Sequence, residues 1–186
     1  MYIDFRSYIN YKLINSIFTG MAGGSVFIIY GSLSPSIFSL GGIALAVALM
    51  LIAYYYHKLM DIRKFFYLSM MAEIVMLVMV CYFLLFSHHI ATSLIIYIFY
   101  QLSFMLGGYL IRAETHFAKR ARLMGYIDAA KQKGYMAGLA LSWIFYNILE
   151  YYAITDSMQQ VYRLHFILLF IEIVIIATLF RSFRIK

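Results

Sequence analysis

The sequence predicts an all-α, polytopic membrane fold of six transmembrane helices with both termini cytoplasmic, and three observations predict it. Of the 186 residues, 65% are hydrophobic and only 12% charged, with a mean hydropathy of +0.84. A soluble domain of this length has too little interior to hide that much apolar surface. The apolar residues fall into six runs of about twenty, the length that crosses a ~30 Å hydrocarbon core at a rise of 1.5 Å per residue. The cations gather at alternate ends of those runs, the signature of cytoplasmic loops.

The stretch from Arg112 to Lys133, RAETHFAKRARLMGYIDAAKQK, organises the topology because it holds six of the fifteen Lys and Arg residues. With that block cytoplasmic, the other loops follow by alternation. The first run covers about residues 13–33, and its Gly20 and Gly24 form a GxxxG pair that lets another helix approach closely in lipid. Pro35, the only proline, lies in Ser32–Ser36 and marks a tight turn. The second run, about 37–56, therefore forms a hairpin with the first, and the charged stretch His57–Lys64 (HKLMDIRK) follows. The third run, about 65–86, contains one acid, Glu73, and ends at the short break Ser87, His88, His89.

The fourth run, about 90–111, holds Gln101, Ser103, Gly107 and Gly108, and the basic block after it is expected to form the main cytoplasmic loop, 112–127. The fifth, about 128–149, carries Gly134, Gly138 and Ser142 at four-residue spacing, together with Trp143, a candidate for the core. The polar connection Glu150–Gln160 leads to the sixth run, about 161–180. That run opens with Arg163 and His165 at the outer interface and contains Glu172; the basic tail RSFRIK closes the chain. Segments 1–12, 57–64, 112–133 and 181–186 hold two, three, six and three Lys and Arg residues, and the opposite side holds Arg163 alone. This one-sidedness, with no cleavable signal in the first residues, leads to an expected location in a bacterial inner membrane, N-in and C-in.

Composition also narrows the chemistry. The net charge of +7 sits at span ends, where it meets anionic lipid headgroups rather than nucleic acid. The single Cys81 forms no internal disulfide, and the adjacent His88 and His89 point in different directions, so no metal site is expected. Nucleotide-binding motifs are missing, and no cofactor is expected. An intramembrane serine protease needs a histidine deep in a span, whereas every histidine lies at a span end or in a loop. No catalytic residue is assigned, and the chain is not expected to be an enzyme.

Glu73 and Glu172 are the acids deepest in apolar runs. A charged carboxylate there costs about 2.5–3.5 kcal/mol on insertion scales unless a partner, a proton or water offsets it. Such an acid serves either as a proton or cation relay or as a structural acid bonded to a neighbouring helix.

Two loops resemble the major facilitator superfamily. In HKLMDIRK, Leu59, Asp61, Arg63 and Lys64 match residue types of that family's signature loop, with His57 standing where the family has its first glycine. Glu114, Arg120, Arg122, Gly125, Gly134 and Gly138 resemble its stretch between spans four and five. The chain is similar to one half of such a transporter. The resemblance implies alternating access, and a second copy or a separate six-span half to enclose the pathway, because a lone bundle would present its polar face to lipid. It implies a cytoplasmic gate built from Asp61, Arg63, Lys64, Arg112, Glu114, Arg120 and Arg122. It also implies a substrate cavity on spans one and four, with Asn15, Thr19, Gln101 and Ser103 as contacts. The leading function is thus a secondary transporter half, moving a small molecule or an ion. The alternatives are a substrate-binding membrane subunit of a multi-component importer and a non-transporting assembly factor.

Overall fold

Peptide groups in a bilayer interior have no water to bond, so a spanning chain satisfies them within its own helices. The computed structural model describes residues 1–87 and 90–184. His88 and His89, the expected break between spans three and four, lie outside the described residues. A two-residue strand β1 (Tyr2–Ile3) precedes α1 (Phe5–Tyr30), α2 (Pro35–Tyr54) and the single turn α3 (Tyr56–Leu59). Then come α4 (Ile62–Phe86), α5 (Ile90–Ala118), α6 (Ala121–Tyr151), α7 (Ser157–Ser182) and a second two-residue strand, β2 (Phe183–Arg184).

Helix starts are set by short polar side chains. Asp4 accepts hydrogen bonds from the amides of Arg6 and Ser7 at the head of α1. Asp61 accepts from Arg63 and Lys64 at the head of α4, and Asp156 accepts from Gln159 at the head of α7. Each satisfies amide donors that the first turn leaves without intrahelical partners. Pro35 is the first residue of α2, where its missing N–H is harmless and its fixed φ suits a helix.

The expected loop at 112–127 is not a loop. Helix α5 runs through Arg112 to Ala118, α6 starts at Ala121, and Lys119 and Arg120 alone join them. Charge ends contact with lipid, but it does not end a run of hydrogen bonds. Alanine, Glu, Arg and Leu, which fill this stretch, are good helix formers. What stops α5 is backbone conformation, for Lys119 takes φ 54° in the left-handed region.

Five helices, α1, α2, α4, α5 and α7, are long and apolar enough to cross a bilayer. Helix α6 has the length, with 31 residues, but Arg122, Asp128, Lys131 and Lys133 in its first half make it the least apolar of the six long helices.

The helices pack along one path, α6–α1–α7–α4–α5–α2. Read from either end, the path meets corresponding spans. Exchanging α1, α2 and α4 for α5, α6 and α7 maps these five strongest packed pairs onto one another, whereas the weaker α5–α6 and α6–α7 contacts have no counterpart of equal extent. The path also bends so that α1 and α5 approach each other.

The closest crossing is that of α1 on α6. A Cβ placed on Gly138 would strike the Ile17 carbonyl and come within 3.0 Å of Gly20 Cα; one on Gly134 would strike the Leu13 carbonyl. Only hydrogen at these Cα atoms lets the two backbones touch, which is how small residues drive association in lipid. Within the expected GxxxG pair, Gly20 lies in the crossing and Gly24 faces open space. Trp143 is 68% exposed on the outer surface of α6, not in the core. His165 is buried rather than interfacial; its Nδ1 lies 2.8 Å from the Val161 carbonyl and its ring packs on Phe83.

The chain ends meet. Strands β1 and β2 pair antiparallel, with Tyr2 opposite Arg184 and Ile3 opposite Phe183. The Asp4 amide donates to the Ser182 carbonyl at 2.9 Å, and Arg184 Nη2 lies 2.6 Å from Asp4 Oδ2. Burial pushes the Asp4 carboxyl up, but bonds from Ser7, the Arg184 charge and the Arg6 amide outweigh it and hold the group below the usual carboxylate range.

Two outcomes follow from this packing. Gly138→Ala overpacks the α1–α6 crossing and costs about 1–3 kcal/mol, read as a lower midpoint of thermal unfolding in detergent. Gly23→Ala, with open space at its Cα, does not lower the midpoint, since Ala favours a helix over Gly. The second concerns the paired ends. Because the Asp4 carboxyl is depressed in the folded chain, its stabilising effect is present above the unfolded carboxylate value of about 3.9 and fades as pH falls through the lower native value. A difference in unfolding midpoint between wild type and Asp4→Asn should therefore exist at pH 6 and vanish in strong acid.

Candidate functional site

Helix α1 carries the donors around which the buried acids are arranged. Tyr8, Tyr11, Lys12 and Asn15 recur at three- and four-residue spacing and so share one face. The Tyr11 hydroxyl donates to Oε1 of Glu73 on α4. Asn15 Nδ2 lies 3.2 Å from both Glu73 oxygens. One turn nearer the chain's start, the Tyr8 hydroxyl donates to Glu114 Oε2 of α5 at 2.8 Å, and Lys12 Nζ sits 3.0 Å from the same oxygen. Lys131 of α6 pairs with Glu114 Oε1 and, at 3.3 Å, with the exposed Asp128. The Lys12 ammonium also lies 5.4 Å from the ring centres of Tyr8 and Tyr11, a cation–π arrangement.

Glu172 of α7 reaches the same place from the far side of the bundle. It is 1% exposed and Glu73 is 3% exposed. Among the described residues, neither Glu172 oxygen meets an N–H or O–H donor, and its polar neighbour is the Glu73 carboxyl. Two carboxyls buried side by side repel one another when both are charged, and one proton held between such a pair relieves that repulsion.

These two acids form the floor of a cleft of about 340 Å³ between α1 and α5. Tyr11, Lys12, Asn15, Phe18 and Thr19 line one wall; Tyr100, Ser103, Phe104 and Gly107 line the other, and Lys131 closes one end. A second cavity, of about 470 Å³, continues along the same helices past Thr19 and Tyr100 toward Tyr30, Phe38 and Tyr135.

Of the residues singled out from sequence, Glu73, Glu172, Asn15, Thr19 and Ser103 come together in this cleft. The Thr19 hydroxyl donates to the Asn15 carbonyl at 3.0 Å within its own helix, whereas the Ser103 hydroxyl has two acceptors in reach, the Phe99 carbonyl at 3.0 Å and Met76 Sδ of α4 at 3.1 Å. Gln101 lies outside the cleft, with its Oε1 buried and without a hydrogen-bond partner among the described residues.

The seven gate candidates do not form one network among the described residues. Asp61 caps α4, Lys64 Nζ bonds the Lys58 carbonyl, and Arg122 Nε donates to the Tyr126 hydroxyl at 3.0 Å. Arg63 lends its amide to the Asp61 cap, and Arg120 precedes the first turn of α6. Arg112 enters no ion pair among the described residues, and Glu114 alone of the seven is central to an ion cluster. Its partners Lys12 and Lys131, with Tyr8 and Tyr11, were not singled out from sequence. The helical spacing of Tyr8, Tyr11 and Lys12 on α1 is the signal by which sequence could have found those three. Among the described residues, no three His, Cys, Asp or Glu side chains converge as a metal site would require.

Helices of bilayer-crossing length, enclosing a cleft floored by buried carboxylates, are compatible with an integral membrane protein that keeps ionisable groups inside its bundle. No family model, no curated protein and no solved structure matches the chain.

Removing one partner of a buried ion cluster leaves uncompensated charge. Glu114→Gln, which strands Lys12 and leaves Lys131 only the exposed Asp128, should cost about 3 kcal/mol in detergent denaturation. Asp61→Asn keeps a good helix cap and should shift stability by less than about 0.5 kcal/mol. Equal effects of the two would contradict the placement of Glu114 at the centre.

Proposed function

We propose that the chain is a six-span unit of a secondary transporter, with α6 as the fifth span, both termini cytoplasmic, and the α1–α5 cleft as one side of a translocation pathway. A second copy, or a separate six-span half, covers the open side. The observation that carries this reading is the Glu73–Glu172 pair, buried between four helices yet lining a cleft. Ionisable groups are costly at that depth and characteristically mark ion and proton routes. Lining such a cleft, the pair can exchange its proton with the contents of the pathway.

The packing path supports the same reading. Spans one to three exchange with spans four to six, and since alternate spans run in opposite directions, the two triplets are inverted with respect to each other. Inverted three-span repeats underlie rocking-bundle transporters, including the major facilitator superfamily that the loops resemble. In this reading the Lys12–Glu114–Lys131 cluster, which ties α1 to α5 and α6, is the latch that closes one end.

Proteoliposomes loaded with a pH-sensitive dye test the reading. With a panel of small solutes, wild type should couple proton movement to at least one of them. Glu73→Gln and Glu172→Gln should each slow it about tenfold or more, a barrier change of roughly 1.4 kcal/mol or above. Wild-type rates in both variants remove the two acids from the pathway. Crosslinking in native membranes should capture two six-span units together.

A further inference from the structure

The carboxyl floor and the aromatic cavity beyond it form one continuous surface, sharing Phe18, Thr19, Met76, Tyr100 and Phe104. At the floor, Glu172 is buried with no N–H or O–H donor on either oxygen among the described residues. The cations nearby are committed elsewhere, since Lys12 and Lys131 are held by Glu114 and Lys131 also by Asp128. Tyr11 and Asn15 direct their donors to Glu73. Among the described residues, neither lysine forms an ion pair with Glu73 or Glu172, so the two floor carboxyls have no cation bonded to them.

Beyond it no charged side chain lines the second cavity, whose walls are mainly aromatic. From Phe18 to Tyr30 that wall extends about 18 Å at 1.5 Å per residue. A small inorganic cation would leave such a wall unused. An organic cation would use both parts, since aromatic faces attract ammonium groups and apolar bodies alike.

The geometry points to an amphipathic organic monocation, a quaternary or protonated amine on an aromatic or alkyl body, as the ligand of this cleft. Its head lies at the Glu73–Glu172 pair and displaces the proton held there, and its body lies along Tyr100, Phe104 and Phe18. This deepens the transport reading and rests on it: replacing one proton by one monocation keeps the floor's charge constant through a cycle. The titratable groups facing the pair are Tyr8, Tyr11 and Lys12 from α1, Tyr100 and Glu114 from α5, and Lys131 from α6. The lysines and Glu114 already neutralise one another in part, which leaves the pair to exchange the proton.

The test uses the full chain in a non-ionic detergent at low buffer strength, titrated with benzyltrimethylammonium. Binding should release close to one proton per bound cation and weaken as pH falls. Neopentylbenzene, the neutral carbon isostere, and sodium chloride should release none. Glu172→Gln should abolish the proton release. Phe104→Leu, at an exposed wall position that folding does not need, should weaken binding about tenfold while keeping the proton stoichiometry. Absence of binding to wild type, equal binding of the isostere, or proton release by sodium alone overturns the proposal. Uptake of the same cation into proteoliposomes separates the two readings. Binding with proton release but without uptake removes the transporter and leaves the site. Uptake of other solutes dependent on Glu73, without cation binding, removes the site and leaves the transporter.

Discussion

Carboxylates inside an apolar helical bundle need donors or protons, and helix α1 supplies nearly all the donors. Tyr11 and Asn15 serve Glu73, while Tyr8 and Lys12 serve Glu114. Each of these acids belongs to a different helix, so one face of α1 ties α4 and α5 to itself through polar contacts that lipid cannot replace. An unmet carboxylate at this depth is costly enough that the register of these helices is held by where the donors lie. Glu172 is the exception, buried without an N–H or O–H donor among the described residues.

The second side of α1 is held differently. Gly20 on α1 and Gly134 and Gly138 on α6 bring two backbones into contact, a purely steric fit with no charge in it. The α2–α5 contact that mirrors it uses side chains instead: Tyr97 packs over Gly41 and Leu49 over Gly108. The α1–α6 pair is thus a stiff unit, whereas α2, with no buried residue, leans on α5 by side chains alone.

Much of the fold was legible because helix formation in a membrane is local. The apolar runs identified all six long helices within a few residues at most ends, and the mismatches occur where charge was read as a loop. At 112–127, residues with good helical propensity continue the hydrogen-bonded ladder into the interface, and hydropathy does not report on that ladder. The depth of Glu73 and Glu172 was likewise legible, since a lone acid in an apolar run has few places to go.

By itself, the sequence determined the number and rough extent of the long helices, the clustering of cations at their ends and the burial of two acids. All of these depend on residues within about twenty positions of one another, the length of a span. Only the tertiary structure decided which helix met which. Glu114 bonds Tyr8 across 106 positions and Glu73 bonds Tyr11 across 62. Asp61, matched by its loop to a gate, caps its own helix instead. A side chain's choice among partners depends on helix rotation and crossing, set here by glycines at a backbone contact, and no local pattern encodes that.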